Sequence, residues 1–276
     1  MIEIIKAIIL GIIEGITEWL PISSTGHMIL VDEFIKLNVS EEFMEMFLVV
    51  IQLGAIMAVV VLFFNKLVPI STRNGIKLSK SKLKLWAKIL IASIPAALIG
   101  LPFNDVIDEW FYNYVVVALA LIIYGFLFID IENHHQGKTA KVNSLNEITY
   151  KQSLLMGIFQ VLALIPGTSR SGATILGGLM MGLSRGVAAE FSFFMAIPAM
   201  FGASLIKVIK FGFSFTNQEI IILSVGCFVA FIVSILAIRF LMNFVKKYDF
   251  KVFGYYRIIL GLVVLVYFFL KSVGIA

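Results

Sequence analysis

Charge is what this chain has least of. Only 14% of its 276 residues are Asp, Glu, Lys or Arg, where a soluble domain carries about 25%, and that shortage excludes an ordinary water-exposed globule. Cysteine is nearly absent. The single Cys227 lies in an apolar run and excludes an intramolecular disulfide or a thiolate metal cluster. There is no GxGxxG fingerprint, no Walker lysine motif and no C-x-x-C, so nothing marks nucleotide or thiol redox chemistry. The formal charge of +5 would suggest nucleic acid in a soluble protein. Here the bases sit in short intervals between apolar segments and lack interleaved recognition features, so no nucleic-acid partner is expected. A secretory signal is not expected either, because Glu3, Lys6, Glu14 and Glu18 interrupt the first apolar stretch.

What is present is grease: 60% hydrophobic residues, 25 Phe and 21 Gly, with a mean hydropathy of +1.01. The composition implies an all-α integral membrane protein forming a single membrane domain over residues 1–276. Full spans are expected at about 43–64, 84–103, 112–131, 187–210, 218–240 and 254–271. Lys66, Arg73, Lys77, Lys80, Lys82 and Lys84 crowd the interval after the first span, which the positive-inside rule places in the cytoplasm. NDVIDEW at 104–110 holds Asp105, Asp108 and Glu109 without a base and reads as an outer interval. His134, His135, Lys138 and Lys141, and later Arg239, Lys246, Lys247 and Lys251, return to the cytoplasmic side; both chain ends then lie outside.

Two segments break this pattern. Residues 1–36 read as a helix ending at Pro21, a polar SSTG and a helix too short to cross about 30 Å of hydrocarbon; residues 150–182 repeat the plan around PGTSRSGAT. Both read as re-entrant helical hairpins. Gly11, Glu14, Ser23, Thr25 and Gly26 fall opposite Gly157, Gln160, Ser169, Ser171 and Gly172 at one constant offset, and 112–128 resembles 255–271. The halves 1–132 and 150–276 therefore read as a repeat. Each would hold one hairpin and three crossings, an odd number, so the repeat must be inverted and the two hairpin tips can meet near the midplane.

The hairpins carry the polar chemistry. Arg170 stays charged and presents a planar fork suited to two phosphate oxygens, unless it serves only to pair with Glu14 or Glu18. Ser169, Ser171, Gly167 and Gly172 can add hydroxyl and close backbone contacts, and Thr174 is expected to begin the short helix behind the anion. Glu14 and Glu18 lie one helical turn apart; with Mg²⁺ or Ca²⁺ they become ligands bridging the metal to phosphate. His27 and Ser24 are both candidates for the nucleophile, with His27 alternatively a general acid or base. Gln160 is expected to hydrogen-bond across the hairpins. Trp19 and Trp110 read as interface anchors, Tyr112 and Tyr114 as part of an outer aromatic belt, Gly202 and Ala203 as a close-packing site, and Pro198 as a kink. His134 and His135 have too few companions for a metal site.

Glu14-x-x-x-Glu18, LPISSTGH ending at His27, and PGTSRSGAT from Pro166 to Thr174 together resemble the signatures of bacterial undecaprenyl-diphosphate phosphatases of the bacitracin-resistance type, along essentially the whole chain. The resemblance implies release of inorganic phosphate from undecaprenyl diphosphate taken from the bilayer, recycling of the carrier for peptidoglycan synthesis, and a divalent-cation requirement. It implies an inverted-repeat fold in the plasma membrane with its pocket open to the outer face. Carried onto these positions, Glu14 and Glu18 support the cation or diphosphate, Arg170 clamps the diphosphate, Ser23, Ser24, Thr25, Ser169, Ser171 and Thr174 line the site, and His27 is the favoured catalytic residue. A homo-oligomer stays open. The competing reading is a transporter or flippase for a polyisoprenyl phosphate or other anion, since broken helices in inverted repeats are a transporter design. His27 beside Glu14, Glu18 and Ser24 is more chemical equipment than binding alone requires.

Overall fold

Small polar residues and proline interrupt the apolar chain twice, and at both places a helix stops and a short one starts. The computed structural model describes residues 1–71 and 77–274; Arg73 lies outside the described residues, as do the side chains of Ser71, Asn104, Asp105 and Asp108. Helix α1 (Ile2–Thr17) is followed by a turn and α2 (Ser24–Phe34). In the second half, α7 (Tyr150–Leu162) is followed by a longer turn and α8 (Arg170–Met180). The N-cap of each short helix is a serine whose side chain accepts from the backbone N–H three residues on: Ser23 from Gly26 (3.2 Å) and Ser169 from Gly172 (3.1 Å).

The remaining long helices are α3 (Glu41–Leu62), α5 (Lys80–Phe111), α6 (Tyr114–His135), α9 (Arg185–Phe211), α10 (Asn217–Phe244) and α11 (Lys251–Ser272). All six contain an apolar stretch long enough to cross a bilayer, because about 20 residues at 1.5 Å each cover the hydrocarbon. The chain is an all-α, multi-pass membrane protein. Leu98, Phe228, Ile259 and Phe269 on its outer surface are exposed, as side chains facing lipid must be. Departures from pure helix spanning are small: a single turn, α4 (Phe64–Leu67), and a two-residue ribbon pairing β1 (Ile70–Ser71) with β2 (Lys77–Leu78) in the basic interval. The acidic interval after the second span is not a loop. It extends α5 to Phe111, beyond the apolar window that closes at Phe103, since nothing after Pro102 breaks the helix.

Glycines set how closely the helices cross. A Cβ on Gly11 of α1 would lie 2.8 Å from Gly226 O of α10, and one on Gly157 of α7 would lie 2.3 Å from Ala92 O of α5. The first hairpin thus leans on a helix of the second half, and the second hairpin on a helix of the first. Helices α6 and α11 meet at Gly125 and Gly254, each seated on the other's carbonyl. Gly202, expected to pack closely, faces open space, and Ala203 is exposed; the buried contact on α9 is Ser204, which donates to Val49 O (3.3 Å). Composition marks small residues but not which side of the helix they occupy.

The tightest of these crossings gives a stability prediction. A Cβ on Gly54 of α3 would fall 2.0 Å from Cys227 O of α10, and backbone cannot yield as a flexible side chain can. Gly54→Ala is expected to cost roughly 1–3 kcal/mol, read as a lower melting temperature in detergent. Gly202→Ala, with nothing within 4 Å of the added methyl, should be neutral or slightly stabilising. Equal melting temperatures for the two variants would contradict the packing.

Candidate functional site

The two helix breaks come together, and the contact is ionic. Arg170, first residue of α8, donates from Nε (3.2 Å) and Nη2 (3.0 Å) to Glu18 Oε1, just past the end of α1. Its Nη1 donates to the Ser192 carbonyl of α9 (2.8 Å). A guanidinium has five N–H donors, so these three bonds leave one on each terminal nitrogen. Arg170 can therefore hold Glu18 and still have two N–H groups to donate to an anion. The guanidinium lies 5.8 Å from the centre of the Trp19 ring. Trp19 is fully buried and meets Phe193 edge-on at 5.3 Å. It is not an interface anchor: the turn after α1 folds its ring inward, whereas Trp110 is exposed.

Hydroxyls surround this pair. Ser24 Oγ donates to the other Glu18 oxygen, Oε2 (3.0 Å). Ser171 Oγ lies 3.1 Å from Glu18 O and 3.3 Å from Leu20 O, and 3.2 Å from Ser169 Oγ. Thr174 sits a turn inside α8 and does not begin it, because Ser169 is the cap; its hydroxyl reaches Arg170 O (2.8 Å) and Ser192 Oγ (2.7 Å). Thr25 is half-buried beside Ser24. Gly167 has φ +90°, and a Cβ there would lie 2.5 Å from Val117 O, so the turn before α8 requires glycine. Ser23 and Ser169 also have positive φ, 72° and 70°. For non-glycine residues that costs roughly 1–3 kcal/mol each and persists only where surrounding bonds hold it.

Glu14 is buried one turn behind Glu18, and its Oε1 has no hydrogen-bond partner among the described residues. Gln160, its counterpart in α7, is equally buried, and neither of its amide atoms is paired. The expected bond from Gln160 across the hairpins is not formed. Among the described residues there is no group of three or more His, Cys, Asp or Glu arranged for a metal. His134 and His135 lie within hydrogen-bond distance of carbonyls of their own helix.

His27 is held at both ring nitrogens. Nδ1 is 2.7 Å from Ser23 O and Nε2 is 2.7 Å from the Tyr256 hydroxyl, with the two rings nearly parallel at 5.6 Å. It is not hydrogen-bonded to Ser24, whose hydroxyl turns to Glu18. Next to Tyr256 stands Arg257, fully buried in α11. Its Nη1 donates to Pro21 O (3.2 Å) in the first break, and its Nη2 to Gly167 O and Thr168 O (both 2.9 Å) in the second. A Cβ on Gly172 would lie 3.1 Å from that Nη1, so the start of α8 must be small to rest on the guanidinium. Tyr256 and Arg257 are the site residues that sequence reasoning passed over. The available signal was an arginine inside the apolar run YYRIILGLVVLV, where a charge is costly without a task.

A guanidinium with free donors, a carboxylate pair, four hydroxyls and an imidazole on two apposed loops suit recognition and chemistry on a phosphoryl group. Comparison with known proteins agrees. A relative from Acetivibrio thermocellus named undecaprenyl-diphosphatase is 65% identical over 268 residues, 97% of this chain and 98% of its own length. Undecaprenyl-diphosphatase 1 of Clostridium acetobutylicum is 63% identical over 268 residues, again 97% and 98%. The undecaprenyl-diphosphatase of Desulfitobacterium hafniense is 60% identical over 274 residues, 99% of each chain. The family model described as bacitracin resistance protein BacA matches residues 7–263, a stretch that takes in both helix breaks, His27, Arg170, Tyr256 and Arg257, and the chain belongs to that family.

Proposed function

We propose that this chain hydrolyses undecaprenyl diphosphate to undecaprenyl phosphate and inorganic phosphate in the bacterial plasma membrane, returning the lipid carrier to peptidoglycan precursor synthesis. One observation carries the reading: the Arg170–Glu18 bridge joins the two loops, with Ser24 on the same carboxylate, while two of the five Arg170 N–H groups stay unbound. Relatives that are 60–65% identical over nearly the whole chain bear the name of that activity. In this assignment Arg170 binds the departing phosphoryl group and offsets charge that grows in the transition state. Ser23, Thr25, Gly167, Gly172 and Thr174 shape the loops around it, and His27 and Ser24 supply the proton-transfer and nucleophilic chemistry. A cavity of about 300 Å³ adjoins the helix that carries His27, lined by apolar Leu10, Met28, Ile29, Met44, Leu48 and Phe268 and by polar Asp32, Glu33 and Asn113. It suits an isoprenyl chain arriving from the bilayer.

The two hairpins are re-entrant and belong to an inverted repeat. Support comes from the matched caps and positive-φ serines at 23 and 169 and from the reciprocal seats of Gly11 and Gly157 on helices of the opposite half. With the basic intervals in the cytoplasm, the site opens outward. The donor set also fits a divalent cation: Glu14 Oε1 is buried without a partner and Glu18 lies one turn away, all oxygen and no thiolate, which suits Mg²⁺ or Ca²⁺. Such an ion would supply further neutralisation of phosphate oxygens.

The test is phosphate release from undecaprenyl diphosphate by purified protein in detergent, before and after chelation. Release that stops on chelation and returns with Mg²⁺ or Ca²⁺ is expected. Folded protein that binds the lipid yet releases no phosphate would overturn the assignment in favour of transport. Release unaffected by chelation would remove the cation from Glu14 and Glu18 and leave the hydrolase in place.

A further inference from the structure

Tyr256 is exposed on the outer surface of α11, a position where apolar side chains normally meet lipid, and its hydroxyl turns inward to His27 Nε2 at 2.7 Å. A carbonyl only accepts, so the 2.7 Å contact between His27 Nδ1 and Ser23 O requires the proton on Nδ1. The Nε2 lone pair of the neutral ring then accepts the Tyr256 O–H. The phenol ring lies within 8° of parallel to the imidazole, so Tyr256 restrains both the lone pair and the plane of the ring. Ser23, which supplies the other tether, is held at φ 72° by its place at the helix break. Backbone geometry at the first hairpin and a side chain from α11 thus fix one imidazole from two directions.

We propose that Tyr256 is a positioning residue for His27: with the Ser23 carbonyl it holds the ring in one tautomer and one plane, ready for the phosphoryl chemistry assigned above, on which this inference rests. A hydroxyl suits the task better than a carboxylate. It donates to the neutral ring and, after rotation, accepts from the protonated one, so the tether survives either state. The competing possibility is that Tyr256 merely occupies Nε2 and must leave before His27 can act; the two give opposite signs on removal of the hydroxyl.

The experiment is Tyr256→Phe, which keeps the stacked ring, assayed for phosphate release with wild type alongside. A kcat about 10-fold lower with KM within about twofold is expected, the pattern of lost orientation, not lost substrate binding. An unchanged or higher kcat would overturn the proposal. As a readout independent of turnover, ¹⁵N-histidine NMR is recorded in the His134→Gln, His135→Gln background, which leaves one histidine of the three. The Nε2 resonance should move in Tyr256→Phe while Nδ1 stays protonated; an unmoved Nε2 resonance would show that no tether existed. Wild-type protein with no phosphatase activity would strike the functional assignment instead, and the NMR arm would still decide whether Tyr256 holds the ring.

Discussion

Arg170→Ala is expected to lower kcat for phosphate release by ~10²–10³-fold, the loss seen when one preorganised donor to developing charge is removed. The effect has two sources in this geometry. The anion loses the two N–H groups that Arg170 keeps free after binding Glu18 and Ser192 O, and the buried Glu18 carboxyl is left with only Ser24 to hold it. Arg170→Lys separates these contributions: an ammonium can still neutralise Glu18 but cannot hold Glu18 along one edge and an anion along another. It should recover the fold and only a small part of the rate. A lysine variant with wild-type kcat would show that Arg170 does no more than join the hairpins, the plainer role the sequence also allowed.

Much of this arrangement was legible in the sequence, for physical reasons that differ from residue to residue. The six spans are readable because lipid forces long apolar runs and leaves the backbone no choice but helix. The breaks are readable because Pro21, Ser23 and Gly26, and later Pro166, Ser169 and Gly172, are residues that stop and cap helices. That Arg170 would meet a carboxylate of the first hairpin follows from the cost of lone charges in hydrocarbon; that the partner is Glu18 and not Glu14 does not. What sequence did not give is facing. Trp19 looks like any membrane tryptophan until the turn after α1 buries it under Arg170. Gly202 and Gly54 are equally small, yet only Gly54 lies against another backbone. The Ser192 contact is made by a carbonyl, which every residue possesses. Tyr256 and Arg257 were hidden by their surroundings, because an apolar run is read as a span and a polar pair within it as an interruption.

Arg257→Met should prove nearly as damaging to activity as loss of Arg170, although Arg257 makes no contact that requires it to touch substrate. Its guanidinium donates to both helix breaks at once, to Pro21 O on one side and to Gly167 O and Thr168 O on the other. It is fully buried, the Tyr124 ring lies 5.5 Å away, and no carboxylate forms a salt bridge with it among the described residues. The fold therefore bears the desolvation cost of a charge that hydrophobic stability alone would not retain. Replacing it with methionine relieves that cost and leaves the carbonyls of Pro21, Gly167 and Thr168, and more weakly Ala120, short of a donor, at roughly 1–3 kcal/mol each for the closer ones. These effects oppose one another, so the melting temperature should fall by only a few degrees. Activity has no such offset. Arg170 is already balanced by Glu18, and loss of Arg257 takes a second cation away from the two loops. The loops also lose their common tether. A fall in kcat/KM of ~10²-fold or more is expected, with Arg257→Lys intermediate because three donors on one nitrogen cannot span carbonyls on both loops. Measuring phosphate release together with thermal melts decides it: a methionine variant that is folded and fully active would mean the charge is dispensable, and one that fails to fold would move Arg257 from the site to the core of the protein's stability.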